Sequence, residues 1–234
     1  MKPIIIVRHA HPADSHIPIA AHWVDAELSD LGRRQAESVA ARLKSELAGQ
    51  PCRIWSSDLR RAAETAAATG RALAVPVQTT PDLREYNGGL PAEVIEEELR
   101  KCVPATQATA DLLANRAGET WPDFYHRVAR CMERLTGLGA APAQPPHGDA
   151  PAATESTEET LIVVAHYGTI GIIVHWWLGL GLTPAGDTPF SFETALASIT
   201  VLSTKPNGKR CLERLNDTAH LWAAGLIGKT QLPT

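Results

Sequence analysis

Residues 3–7, Pro-Ile-Ile-Ile-Val, form an unbroken apolar and mostly β-branched run between Lys2 and Arg8. A strand with one wet face alternates apolar and polar side chains, so a run without alternation belongs to a strand covered on both faces, the place of a central parallel strand. Residues 161–165, Leu-Ile-Val-Val-Ala, repeat the pattern far along the chain. Between Ser29 and Leu47 the apolar positions Ala36, Val39, Ala40, Leu43 and Leu47 recur every three or four residues, which predicts a helix capped by Ser29 and stopped at Gly49. Cys52 to Trp55 is expected to be a short strand, followed by an alanine-rich helix capped by Ser57 and running to Leu73, and then by a strand over Val75 to Gln78. Strands and helices alternating in this order write an α/β fold, a mostly parallel central sheet with helices on both faces.

The second half is less regular. Residues 86–120, with helical stretches at Pro91 to Cys102 and Ala105 to Arg116, are expected to form a cap over one sheet edge. Trp121 to Leu138 is an amphipathic helix with Phe124, Val128, Met132 and Leu135 on one face. Residues 139–159 hold Pro142, Pro145, Pro146 and Pro151 and almost nothing bulky and apolar, so a mobile loop is expected there. A helix from Thr169 to about Leu178 follows the second buried strand, and Ile199 to Ser203 pairs with Cys211 to Leu215 in a hairpin around Pro206-Asn207-Gly208-Lys209. No internal repeat is present, and the whole reads as one domain over residues 1–234.

Charge and cysteine content exclude several function classes. Twenty-two Lys and Arg against 26 Asp and Glu give a net charge of −4, with no basic footprint for nucleic acid or anionic membrane. An anionic substrate must therefore be caught locally. Cys52, Cys102, Cys131 and Cys211 make no CxxC pair, which argues against a zinc cluster and for reduced, buried thiols. The apolar run at the N-terminus is too short for a signal-peptide core, and the stretch around Ile170 to Leu182 is broken by Gly171, His175, Gly179 and Gly181. A cytoplasmic location is expected.

Four segments place polar side chains at strand or helix ends, where α/β sheets bind ligands. They are Arg8-His9-Ala10, Ser56 to Ala62, Leu83-Arg84-Glu85-Tyr86 and Ala165-His166-Tyr167-Gly168. Taken singly each has a bland account: a lone histidine usually satisfies a loop, Arg60 and Arg61 would usually form a solvated helix face, and Glu85 alone says nothing. Their joint placement at one edge shifts the odds. Arginine forks match phosphate oxygens, and a histidine among arginines keeps a free ring nitrogen near neutral pH. His9 is then the nucleophile, His166 a donor to an equatorial oxygen, and Glu85 the general acid and later the base that activates water. The scheme needs neither metal nor other cofactor.

These residues resemble the histidine phosphatase superfamily, the phosphoglycerate-mutase-like enzymes, over essentially the whole chain. The Arg-His-Gly motif stands here as Arg8-His9-Ala10. The next signature is Leu28-Ser29-Asp30-Leu31-Gly32-Arg33-Arg34-Gln35-Ala36, and the following one is Ser57 to Ala66, with Arg61 at the place of the phosphate arginine and Arg60 beside it. Leu83-Arg84-Glu85, Gly118-Glu119-Thr120 and Val163 to Gly168 also match. The resemblance implies a phosphoglycerate-mutase-like three-layer sandwich, a phosphohistidine on His9, a phosphoryl group held by Arg8, Arg61 and His166, and Glu85 as proton donor. The sequence departs from the family pattern at His11, where many members carry Glu, and at Ser15, where many carry Asn. Leu196-Ala197-Ser198 replaces the usual Asn-x-Ser, and the stretch after Glu85 lacks the histidine of mutase members.

The expected activity is metal-independent hydrolysis of a small phosphate monoester. A phosphoglycerate-type mutase and a catalytically silent phosphate-binding module are the alternatives. Ser15, Tyr86 and Tyr167 are candidates for contacts with the rest of the substrate, with His11 beside them, and selectivity is expected from residues 14–25, including His16, His22 and Trp23, and from the cap. Trp176 and Trp177 fit either a core or a homodimer interface.

Overall fold

The computed structural model describes residues 2–13, 23, 25–89, 118–139 and 159–227. Six strands form one sheet: β1 (Ile4–Arg8), β2 (Cys52–Ser57), β3 (Val77–Thr80), β4 (Thr160–Ala165), β5 (Ile199–Thr204) and β6 (Arg210–Asp217), in the order β3-β2-β4-β1-β5-β6. The first four in that order run parallel, and β5 and β6 are antiparallel additions at one side. The two all-apolar runs are the central pair, with Ile4 opposite Leu161 and Arg8 opposite Ala165.

Side-chain alternation along these strands divides the core in two. Ile4, Ile6, Leu161 and Val163 pack against α3 (Trp121–Thr136) and α4 (Tyr167–Leu178). Ile5, Val7, Ile162 and Val164 pack on the other face against α1 (Asp30–Leu47), α2 (Arg60–Leu73) and Leu221 of the short α5 (Ala219–Ala223). Both faces of the sheet are therefore covered, which is why its centre tolerates no polar alternation. Trp176 and Trp177 are fully buried in the first of these cores. Cys131 is buried, whereas Cys52 and Cys211 are only partly so, a correction to the expectation of uniformly buried thiols. Cys102 lies outside the described residues.

Several boundaries differ from the expected ones for local reasons. Ser57 does not cap α2: it extends β2, pairing with Thr80, and Leu59 takes the N-cap position without a side-chain bond. Val75 lies just past α2, where its N–H bonds the Gly70 carbonyl and closes the helix end, so β3 starts later than expected. Helix α4 begins two residues early, with His166 at its N-cap position. The hairpin turn forms as expected, closed by Lys205 and Lys209. The expected cap over 86–120 and loop over 139–159 lie, apart from 86–89, 118–120, 139 and 159, outside the described residues. At the neck of the first segment Glu119 N–H bonds the Asn87 carbonyl at 2.8 Å, and the Asn87 N–H bonds the Glu119 carboxylate at 3.0 Å.

Candidate active site

Because β1 and β4 are parallel neighbours in register, the residues that follow them emerge side by side at the carboxyl edge of the sheet. His9 and His166 stand there with ring centroids 5.0 Å apart. β2 flanks β4 on its other side, and Ser57 at its end lies 2.8 Å from His166, Oγ to Nε2. Four residues beyond the end of β2, in the first turn of α2, Arg61 is 1% exposed. Arg8, the last residue of β1, bonds the Thr194 carbonyl and lies over the Tyr167 ring. The turn at 195–198 secures this edge: Ser198 accepts from the Arg8 N–H, and the Ala197 N–H reaches the Arg8 and His9 carbonyls.

The state of each histidine follows from its surroundings. His9 Nδ1 is 2.9 Å from the Ala10 carbonyl, an acceptor only, so Nδ1 carries the hydrogen and Nε2 keeps its lone pair. Burial, and then the neighbouring Arg61 and Arg8 charges, hold the His9 pKa well below 6.5. His166 is lowered in the same way, by burial first and then by Arg61 and His9. Arg61 is itself pulled down to about 10 by burial against the opposing pull of Glu85, which still leaves it charged at neutral pH.

Glu85 faces this cluster from the turn that follows β3. It is 6% exposed, and burial raises its pKa, against the lowering effect of two backbone N–H groups. Those groups are Tyr86 N–H on Oε1 at 2.9 Å and Gly168 N–H on Oε2 at 3.0 Å. A Cβ on Gly168 would stand 2.5 Å from Oε1, so any side chain here would displace the Glu85 carboxyl.

The backbone of Glu85 is held by two residues that sequence reasoning did not assign. Arg127 of α3 donates to the carbonyls of Asp82, Arg84 and Glu85 at 2.8, 3.1 and 3.2 Å, and its remaining N–H groups engage Glu119 at 2.6 and 3.0 Å. Trp23 Nε1–H adds a bond to the Glu85 carbonyl at 2.7 Å, and the Arg84 guanidinium lies 4.6 Å from its ring centroid. Trp23 was expected only as part of a selectivity loop, and Arg127 carries no spacing signal beyond its place eight residues after Glu119. Ser57 was read as a helix cap, and its partnership with His166 depends on the β2–β4 pairing.

The remaining candidates fall into place individually. Arg60 is half exposed and paired with Glu27 at 2.9 Å, the solvated helix face. His11 bonds Ser29 at 3.0 Å, a local contact. Tyr86 packs on Trp121 and Phe124. Tyr167 bonds Glu193 at 2.7 Å and Ser191 at 3.0 Å through its hydroxyl. Ser15 lies outside the described residues. Among the described residues no group of His, Cys, Asp or Glu has the disposition of a metal site, and no helix is long and apolar enough to cross a membrane.

Comparison with known proteins adds the following. The model of the histidine phosphatase superfamily (branch 1) matches residues 4–218. Phosphoglycerate mutase-like protein 4 of Arabidopsis thaliana is 31% identical over 179 residues, 71% of this chain and 67% of that protein. Glucosyl-3-phosphoglycerate phosphatase of Mycolicibacterium vanbaalenii is 30% identical over 187 residues, 77% of this chain and 76% of that protein. Among solved structures, a mycobacterial glucosyl-3-phosphoglycerate phosphatase in complex with inorganic phosphate superposes with a TM-score of 0.62 at 26% identity, covering 94% of this chain and 99% of the other.

Proposed function

Since the chain belongs to the histidine phosphatase superfamily (branch 1), we propose that it is a phosphatase that hydrolyses a small phosphate monoester through a phosphohistidine on His9. The observation that carries this reading is one arrangement: a neutral His9 whose Nε2 lone pair is uncommitted among the described residues, set beside Arg8 and Arg61, with a buried carboxyl of raised pKa facing the same cluster.

The phosphoryl group sits between Arg8, Arg61 and His166, which share the charge of its non-bridging oxygens. His9 Nε2 attacks phosphorus as the bond to the leaving oxygen breaks, and the Glu85 carboxyl gives its proton to that oxygen, so a neutral alcohol departs. Glu85, now a carboxylate, takes a proton from water as the water oxygen attacks phosphorus. The phosphorus–nitrogen bond breaks, the electron pair returns to Nε2, and inorganic phosphate leaves. Guanidinium and imidazole donors meet the negative charge throughout, so this scheme asks for no metal ion. Ser57 orients His166, and Arg127 with Trp23 holds the main chain of Glu85.

The experiment is phosphate release from 4-nitrophenyl phosphate in excess chelator, comparing the wild type with His9→Ala. Chelator-resistant turnover that disappears in His9→Ala is expected. Turnover that persists in His9→Ala refutes the phosphohistidine. A protein that releases no phosphate but moves a phosphoryl group between carbons of one substrate when primed by a bisphosphate is a mutase. One that only binds vanadate is the silent module.

A further inference from the structure

Beside the phosphate cradle, α4, Trp121 at the head of α3 and residues 188–192 enclose an open-sided cleft of about 80 Å³. That is space for roughly six water-sized groups. Its walls include the rings of Trp121, Tyr167, Phe190 and Phe192, and along α4 it is lined by Gly168 and Gly171. Gly168 is explained by Glu85. Gly171 is not: a Cβ there meets nothing within 4 Å among the described residues, and the residue sits inside a helix, where glycine costs about 1 kcal/mol relative to alanine. Neither packing nor backbone asks for glycine at this point, and what its lack of a side chain leaves open is the cleft.

Two further features shape the cleft. Phe190, at its margin, is 59% exposed. His175, one helical turn beyond Gly171 and 1% exposed, donates Nδ1–H to the Gly171 carbonyl at 2.8 Å and stands edge-on to Phe192, which backs that ring in the wall. The cleft is also continuous with the chemistry, because the two residues that begin it serve both places. Tyr167 lies under the Arg8 guanidinium, and Gly168 N–H holds the Glu85 carboxyl that faces the leaving oxygen.

We infer that this cleft receives the leaving-group half of the substrate, and that the alcohol released carries an apolar ring. The inference rests on the phosphatase reading, since it takes the leaving oxygen to lie at Glu85. A flat apolar group of about six atoms matches the space, stacks on the aromatic walls and covers Phe190. A short, highly polar alcohol matches none of these.

The test compares 2-phenylethyl phosphate with ethyl phosphate, two alkyl esters that differ by the ring alone, and reads the ratio of their kcat/KM values. Burial of a phenylalanine-sized group predicts a ratio of about 10 to 100 in the wild type. Gly171→Leu, which fills the cleft, is expected to bring the ratio close to one, and Phe190→Ala, an exposed position that does not threaten folding, to lower it severalfold. A wild-type ratio near one overturns the inference, as does a high ratio that both variants leave unchanged. If the wild type hydrolyses no phosphate monoester at all, the phosphatase reading itself fails, an outcome distinct from hydrolysis of ethyl phosphate without preference for the ring.

Discussion

Replacing Gly168 with alanine tests the role of Glu85 without touching a titratable group. The added Cβ would stand 2.5 Å from Glu85 Oε1 and 3.3 Å from Phe124 Cε1. To restore an ordinary contact the carboxyl group must retreat by roughly 0.9 Å. It has little freedom to do so, because both oxygens are held by backbone N–H groups and the main-chain carbonyl is held by Arg127 and Trp23. A misplacement on the order of 1 Å costs about 100-fold in rate, or roughly 2.7 kcal/mol of transition-state stabilisation. That loss falls on the proton transfer alone. An alkyl phosphate, whose alcohol cannot leave without a proton, is expected to lose about 100-fold in kcat/KM, whereas 4-nitrophenyl phosphate, whose leaving group departs as a stable anion, loses only a few-fold. Steady-state kinetics on the two esters, with thermal unfolding to verify the fold, make the measurement. An equal loss on both esters, or no loss on either, refutes the assignment of Glu85 as the acid.

Two other perturbations probe the supports of the site. Arg127→Lys keeps the charge but removes the fork that spans three carbonyls and Glu119; a loss of about 2 kcal/mol in unfolding free energy and a fall of about 10-fold in kcat on alkyl esters, with 4-nitrophenyl phosphate affected less, are expected in denaturant titrations and in rate assays. The second concerns pH. His9 and His166 are held neutral well below 6.5, so the unfolded chain takes up protons in a range where the folded chain does not; their contribution to stability is complete above about 6.5 and is lost as the pH falls below it. The unfolding midpoint should therefore drop on acidification from neutrality, and His166→Asn should flatten that slope. An unchanged slope contradicts the buried neutral histidines.

How far the sequence discloses this molecule depends on whether the information is local. The strands β1 and β4 announce themselves because a position covered on both faces admits only apolar side chains, and those two runs place His9 and His166 at one edge once the sheet is known to be parallel. Ser57 shows the limit. A serine before an alanine-rich helix reads as a cap, and only the ladder that pairs it with Thr80, and its neighbour Ser56 with Val164, reveals that it belongs to a strand and to His166. Arg127 and Trp23 are less visible still, since they act on main-chain carbonyls far away in sequence, and any arginine or tryptophan pattern is compatible with a carbonyl partner. The cleft beside α4 is invisible for the same reason: Gly171 looks like a flaw in a helix until the rings of Phe190 and Phe192 are brought opposite it.

The most direct test of the phosphohistidine mechanism is to quench the protein during turnover of a phosphate monoester in excess chelator and to map the phosphorylated residue by mass spectrometry. Acid-labile, base-stable phosphate on the peptide carrying His9, absent from His9→Ala, is the predicted result. Phosphate on another residue, or turnover with His9 removed, contradicts it.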